Sequence, residues 1–175
     1  MPDLRCACGR NKGGSEQQIT IIAVGKATGY YATGVADYQK RLGALCRLNV
    51  IELAEERLDE KNASQAQIAA ALEKEGARIL AAVPKGAGLA ALCIEGHMHS
   101  SEQFSQLIQT QAMRGASHMA FAIGSSHGLS AAVKQSARWL LSLSAMTLPH
   151  QLARLVLAEQ VYRAFMIQSN TRYHK

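Results

Sequence analysis

The chain has 175 residues, 48% hydrophobic and 18% charged, a balance that suits one globular domain with its own core and excludes a disordered or low-complexity chain. No apolar run is long enough to span a bilayer, and the polar start lacks the apolar centre of a signal peptide, so a cytoplasmic protein is expected. A net charge of +6 and a pI near 9.3 point to a polyanionic partner, most simply nucleic acid.

Residues 1–18 are polar, contain glycine and show no period, which predicts a flexible extension ahead of a domain at 19–175. Cys6 and Cys8 form a CxC without a second pair at metal-binding spacing, so reduced thiols are expected rather than zinc. Order is expected to begin at Ile19–Val24, a β-branched strand ended by Gly25. A helix over Tyr31–Leu45, a strand over Leu48–Leu53 and a charged loop over Glu55–Asn62 follow. Ala63–Val83 is rich in Ala, Gln, Glu and Lys and predicts a helix, broken by Pro84-Lys85-Gly86. A third strand is expected over Leu89–Ile94, with Cys93 and His97-Met98-His99 belonging to a loop without metal. Ser100 and Gln103 offer a capping box for a helix over Ser101–Met113. The strand His118–Ile123, the loop Gly124–Leu129, a helix from Ser130 to about Leu140 and a strand over Leu141–Ala145 come next. The last helix is expected over His150–Ile167, with Leu152, Leu155, Val156, Tyr162, Phe165 and Met166 on one face. Strands alternate with helices throughout, which predicts an α/β fold with a mostly parallel sheet.

Two loops sit where such sheets place ligands, at the carboxyl ends of strands. Leu143-Ser144-Ala145-Met146-Thr147-Leu148-Pro149 carries no charged side chain, so a ligand there would be held by main-chain groups between apolar walls, which suits a nucleobase. Gly124-Ser125-Ser126-His127-Gly128 matches G-x-S-x-G, but the only later acid, Glu159, falls inside a helix, so a serine hydrolase is the minor alternative. No G-x-G-x-x-G is present, and Glu52 is only roughly where a ribose-binding acid would stand. Every Asp lies at or before Asp59, and after Glu102 the only acid is Glu159. Arg114, Lys134, Arg138, Arg154, Arg163, Arg172 and Lys175 share that acid-poor half, as phosphate contacts would require.

From Ile19 to Lys175 the chain resembles the RlmH (YbeA-type) SPOUT-class methyltransferases of 23S ribosomal RNA. The likeness rests on Ile21-Ile22-Ala23-Val24-Gly25-Lys26, Tyr38-Gln39-Lys40-Arg41-Leu42, Glu73-Lys74-Glu75-Gly76, Gly124…Gly128-Leu129-Ser130, Leu143 to His150, Leu157 to Ala164, and Asn170…Tyr173-His174. It implies an S-adenosylmethionine-dependent homodimer with a deep C-terminal trefoil knot, methylating N3 of a pseudouridine in the assembled ribosome. The resemblance carries cofactor contacts onto Leu92, Gly124, Leu143, Ser144, Ala145, Met146, Thr147 and Leu148. His150, Tyr173 and His174 fall at the catalytic, substrate end, and Arg154 and Lys175 at RNA phosphates; no metal is implied. The chain departs from the family loop Gly-Gly-Pro-Glu-Gly at 124–128 and has Lys175 for a terminal Arg. An RNA-binding relative with weak or lost activity is therefore the alternative.

Overall fold

The computed structural model describes residues 17–59, 61–115 and 117–169. Five strands and five helices alternate: β1 (Gln18–Val24), α1 (Gly29–Leu42), β2 (Arg47–Leu53), α2 (Gln65–Ala82), β3 (Gly88–Met98), α3 (Ser101–Met113), β4 (His118–Ile123), α4 (Ala131–Ser136), β5 (Trp139–Ser142) and α5 (His150–Gln168). The strands form one sheet in the order β2-β1-β4-β3-β5, and every pairing is parallel. A parallel sheet covered on both faces needs apolar residues in both phases of the pleat. In β4, Met119, Phe121 and Ile123 join one core with Phe104, Leu157, Val161 and Phe165, while Ala120 and Ala122 join the other with Ile79, Leu129 and Val133. Thus α1, α3 and α5 cover one face, and α2 and α4 the other. Burying each large aliphatic or aromatic side chain here contributes roughly 1.5–3 kcal/mol.

Helix starts follow local chemistry. Ser64 and Ser100 each complete a capping box, with Gln67 and Gln103 respectively, so two orphan donors are satisfied at each helix start. Ser130 caps α4 by accepting from the Val133 amide. Gly76 in α2 lies against that cap: a Cβ on it would come within 2.2 Å of the Ser130 hydroxyl. Only glycine allows α2 and the start of α4 to meet this closely.

The structure corrects several expected boundaries. β1 already includes Gln18, and the Gln17 side chain donates to the Ile108 carbonyl. α4 ends at Ser136 rather than Leu140, because Trp139 to Leu141 pair with Ala90 to Leu92. Leu143 to Ala145 therefore belong to a bend, not a strand. His97 and Met98, expected in a loop, extend β3. Leu92 and His97 both register with Leu141, so Cys93 to Gly96 bulge out between them. The buried side of α5 is Arg154, Leu157, Ala158, Val161, Ala164 and Phe165. The expected apolar stripe shares only Phe165 with it. α5 packs against both α1 and α3, so its apolar residues are spread around its circumference. Cys6 and Cys8 lie outside the described residues. None of the helices among the described residues is long and apolar enough to cross a membrane.

At the first residue of β4, the His118 Nε2 lies 2.8 Å from the hydroxyl of buried Thr20. Burial pushes the His118 imidazole below its ordinary value. Between that lowered value and the unfolded value near 6.5, the folded chain binds fewer protons than the unfolded one. Stability is therefore lost as pH falls below about 6.5. Thermal unfolding at pH 7.5 and 5.5 is expected to show a larger drop in Tm for the wild type than for His118→Asn.

Candidate functional site

All five strands point the same way, so the loops after β1, β3, β4 and β5 meet at one edge of the sheet. The bulge of β3, the loops after β4 and β5 and the first turn of α5 enclose a cleft of about 610 Å³, within the range of small-molecule sites. Its walls include Leu92, Gly124, Leu143, Ser144, Met146, Thr147, Leu148 and His150, which brings together most residues singled out from the sequence. Ala145 lies exposed in the same bend. Tyr173, His174 and Lys175 lie outside the described residues.

The roof of the cleft is the bend at 143–149. The chain leaves β5 at one edge of the sheet and must reach α5, whose first turn is tied to the loop after β1. The bend therefore crosses the ends of β3 and β4. It is held locally by the Ser142 hydroxyl donating to the Ser144 carbonyl and by the Met146 amide donating to the Ser144 hydroxyl. Among the described residues, the amides of Thr147 and Leu148 make no hydrogen bond, so these donors are free for a ligand.

The floor is the loop after β4. The Gly128 amide donates to the Ser125 carbonyl, closing a tight turn, and Gly128 has φ +89. A Cβ on Gly124 would lie 2.0 Å from the Gly128 carbonyl oxygen, so no side chain fits there without opening the turn. Ser125 is the anchored serine: its hydroxyl donates to the carboxylate of Glu75, at 2.8 Å. Glu75 is buried and also accepts from the Glu56 amide. Ser126 and His127 are exposed at the tip. The hydrogen-bonded serine is thus not the one a nucleophile elbow would use. The role of Glu75 was not foreseen from the sequence, although it lies in the Glu73-Lys74-Glu75-Gly76 string.

One side of the cleft is polar. Lys134 of α4 pairs with Glu95 of the bulge at 2.5 Å, and this partner holds the Glu95 carboxyl below its usual range. Burial first, and Glu95 second, push the Cys93 thiol up, so it stays protonated and is a poor nucleophile. No group of three or more metal-ligating side chains occurs among the described residues.

His150 opens α5 and sits against Gly25, where a Cβ would lie 3.4 Å from its Nε2. Its position is set by Arg154, one turn further on. That guanidinium is completely buried. It donates to the Glu52 carboxylate at 2.5 Å and to the Gly25 carbonyl at 2.9 Å. Burial lowers its pKa from the ordinary arginine value, opposed by Glu52, and it remains charged. Arg154 is therefore not a phosphate ligand: the expectation from its place in the basic half fails because the side chain turns inward to a carboxylate. Glu52 in turn is committed to Arg154 and to the Ala27 amide, not to a ribose.

The chain belongs to the SPOUT methyltransferases: a family model described as "Predicted SPOUT methyltransferase" matches residues 17–174. It is 48% identical over 159 residues to ribosomal RNA large subunit methyltransferase H of Streptococcus uberis, covering 90% of this chain and 99% of that protein. The enzyme of the same name from Leuconostoc mesenteroides is 48% identical over 158 residues, again across 90% and 99%. Among solved structures, a probable methyltransferase from Bordetella pertussis matches with TM-score 0.51 at 15% identity, over 85% of this chain and 96% of that one. This last likeness concerns the fold.

Removing the buried cation tests the clamp. Arg154→Ala leaves Glu52 without its partner and is expected to destabilise the protein by roughly 3 kcal/mol, read from urea unfolding. The salt dependence of RNA binding by the folded variant should be unchanged, since no phosphate contact is lost.

Proposed function

We propose that this chain is a cytoplasmic S-adenosylmethionine-dependent methyltransferase acting on N3 of a pseudouridine in 23S ribosomal RNA of the assembled ribosome. Family membership and the names of its relatives support the class of reaction and the large-subunit RNA. The finer assignment rests on the resemblance of the Leu143–His150 string. The observation that carries the reading is the charge-free bend roofing a cleft at the carboxyl ends of parallel strands.

The residues present fit the adenosyl group. Main-chain donors at Thr147 and Leu148 are unengaged among the described residues, the bend from Leu143 through Ala145 to Leu148 has no charged side chain, and Leu92, Ile123 and Leu141 supply apolar wall. Gly124 lets the turn that forms the floor close against the Gly128 carbonyl. When bound, S-adenosylmethionine supplies a methyl group made electrophilic by its sulfonium. The protein's tasks are then to exclude water, orient the uracil-like ring and remove the N3 proton. In this proposal His150, at the end of the cleft, accepts that proton. Tyr173 and His174 join it at the substrate end and Lys175 binds phosphate, all by resemblance. The chain acts as a homodimer in which the C-terminal segment is threaded as a trefoil knot. The path of the bend over β3 and β4, with α5 returning between α1 and α3, supports that threading, which is among the rare exceptions to ordinary chain topology. Of the three departures from the family loop, Ser126 and His127 fall on exposed positions and Ser125 is buried in a bond to Glu75 that holds the turn, which favours retained activity over a purely RNA-binding relative.

Titration calorimetry is expected to give saturable binding of S-adenosylmethionine, and ribosomes lacking the modification should gain an N3-methyl group. Absence of cofactor binding ends the proposal; binding without transfer favours the RNA-binding alternative. His150→Ala should lower kcat by roughly 10²- to 10⁴-fold with cofactor affinity unchanged. An unaltered kcat would move proton removal to another group.

A further inference from the structure

The start of α1 carries an arrangement that the methyl-transfer site does not use. Nine aromatic residues occur in the chain (1 Trp, 5 Tyr and 3 Phe). Among the described ones, Tyr30 alone is left largely in solvent, 70% exposed. The others pack into or against the core, apart from Tyr31, whose ring lies 4.0 Å from that of Tyr30, tilted by 38°. An exposed tyrosine supported from behind by a second ring has little to gain from the fold itself. The Tyr31 hydroxyl beside it raises the Tyr30 phenol above its ordinary value, so the Tyr30 ring is uncharged at neutral pH.

The pair stands next to the cleft on a fixed support. Tyr31 donates its amide to the Thr28 carbonyl. Thr28 donates its own amide to the Gln151 side chain at 2.9 Å, and Gln151 directly follows His150. One residue earlier, the Ala27 amide is held by Glu52 at 2.7 Å, within the Arg154 clamp. Lys26 is exposed in the same loop. A loop anchored at two consecutive amides presents its rings and its cation without further ordering, which lowers the cost of binding.

We infer that Tyr30, backed by Tyr31 and flanked by Lys26, is a stacking platform for an unpaired nucleobase of the RNA, next to the nucleotide seated at His150. The inference rests on the reading of the cleft as an RNA methyltransferase site. Unpaired bases are recognised by aromatic faces, and the neighbouring phosphate by a lysine.

The test is equilibrium binding of unmodified ribosomes by the full chain, measured without turnover, for wild type, Tyr30→Ala, Tyr30→Trp and Tyr30→Ala/Tyr31→Ala. Loss of one base–aromatic stack is expected to weaken binding roughly 5- to 150-fold in Tyr30→Ala. Tyr30→Trp should bind like wild type, and Tm and S-adenosylmethionine affinity should stay unchanged in both. Wild-type ribosome affinity in Tyr30→Ala overturns the inference. So does a change of oligomeric state with RNA affinity intact, which would assign this face to a second copy of the chain. If wild type binds ribosomes in a Tyr30-dependent way but transfers no methyl group, the platform stands and the enzymatic reading falls. If wild type does not bind at all, both fall.

Discussion

The geometry of the site depends on one buried charge. Arg154 is fully removed from solvent, and its two contacts, to the Glu52 carboxylate and the Gly25 carbonyl, join the first turn of α5 to the ends of β1 and β2. Desolvating a guanidinium is costly, and its attraction to Glu52 offsets that cost only while the geometry is kept. Its Nε–H, buried without a partner among the described residues, adds to that cost. A residue paired this way specifies position more than it adds stability. With α5 fixed at β1 and β5 fixed at the opposite side of β3, the intervening bend has one route, across the ends of β3 and β4. The cleft is the space left beneath that route.

A second, smaller lock holds the opposite wall. Glu75 and Gly76 are neighbours on α2, and each meets one end of the β4–α4 connection. The carboxylate of Glu75 accepts from Ser125, and the missing side chain of Gly76 admits Ser130. The tight Gly124–Gly128 turn is thus supported from the α2 face of the sheet. Variation at Ser126 and His127 is compatible with this arrangement, because both side chains are exposed while the anchoring bonds belong to their neighbours. The difference from the family loop therefore changes what the cleft mouth presents at 126 and 127, while at 125 a buried serine stands for the family's glycine and supplies the bond to Glu75 that holds the turn.

Much of this was legible in the amino-acid order. Apolar β-branched runs between amphipathic segments required a parallel α/β sheet, and β4 begins and ends where its pattern does, from His118 to Ile123. Ser100 and Gln103 announced the start of α3 through backbone chemistry that involves only four residues. The absence of charge from Leu143 to Pro149 marked the roof of a neutral cleft, because a segment meant for phosphate would carry cations or a glycine cradle. What failed was whatever depended on distant partners. Trp139 and Leu140 have no intrinsic reason to leave a helix; the free edge of β3 draws them into β5. His97 and Met98 are strand residues because Leu141 and Ser142 lie beside them.

Arg154 shows the division most clearly. Its place in a basic, acid-poor stretch made it a candidate for phosphate, and that expectation was sound as a matter of composition. Glu52 lies 102 positions away along the chain, and no local pattern records that the two meet. Composition and periodicity determined which residues would form strands, helices and a charge-free bend, since those choices are made by each segment's own propensities and burial. Only the tertiary structure decided which charges face inward, because the energy of an ion depends on its surroundings, and those are assembled from the whole chain.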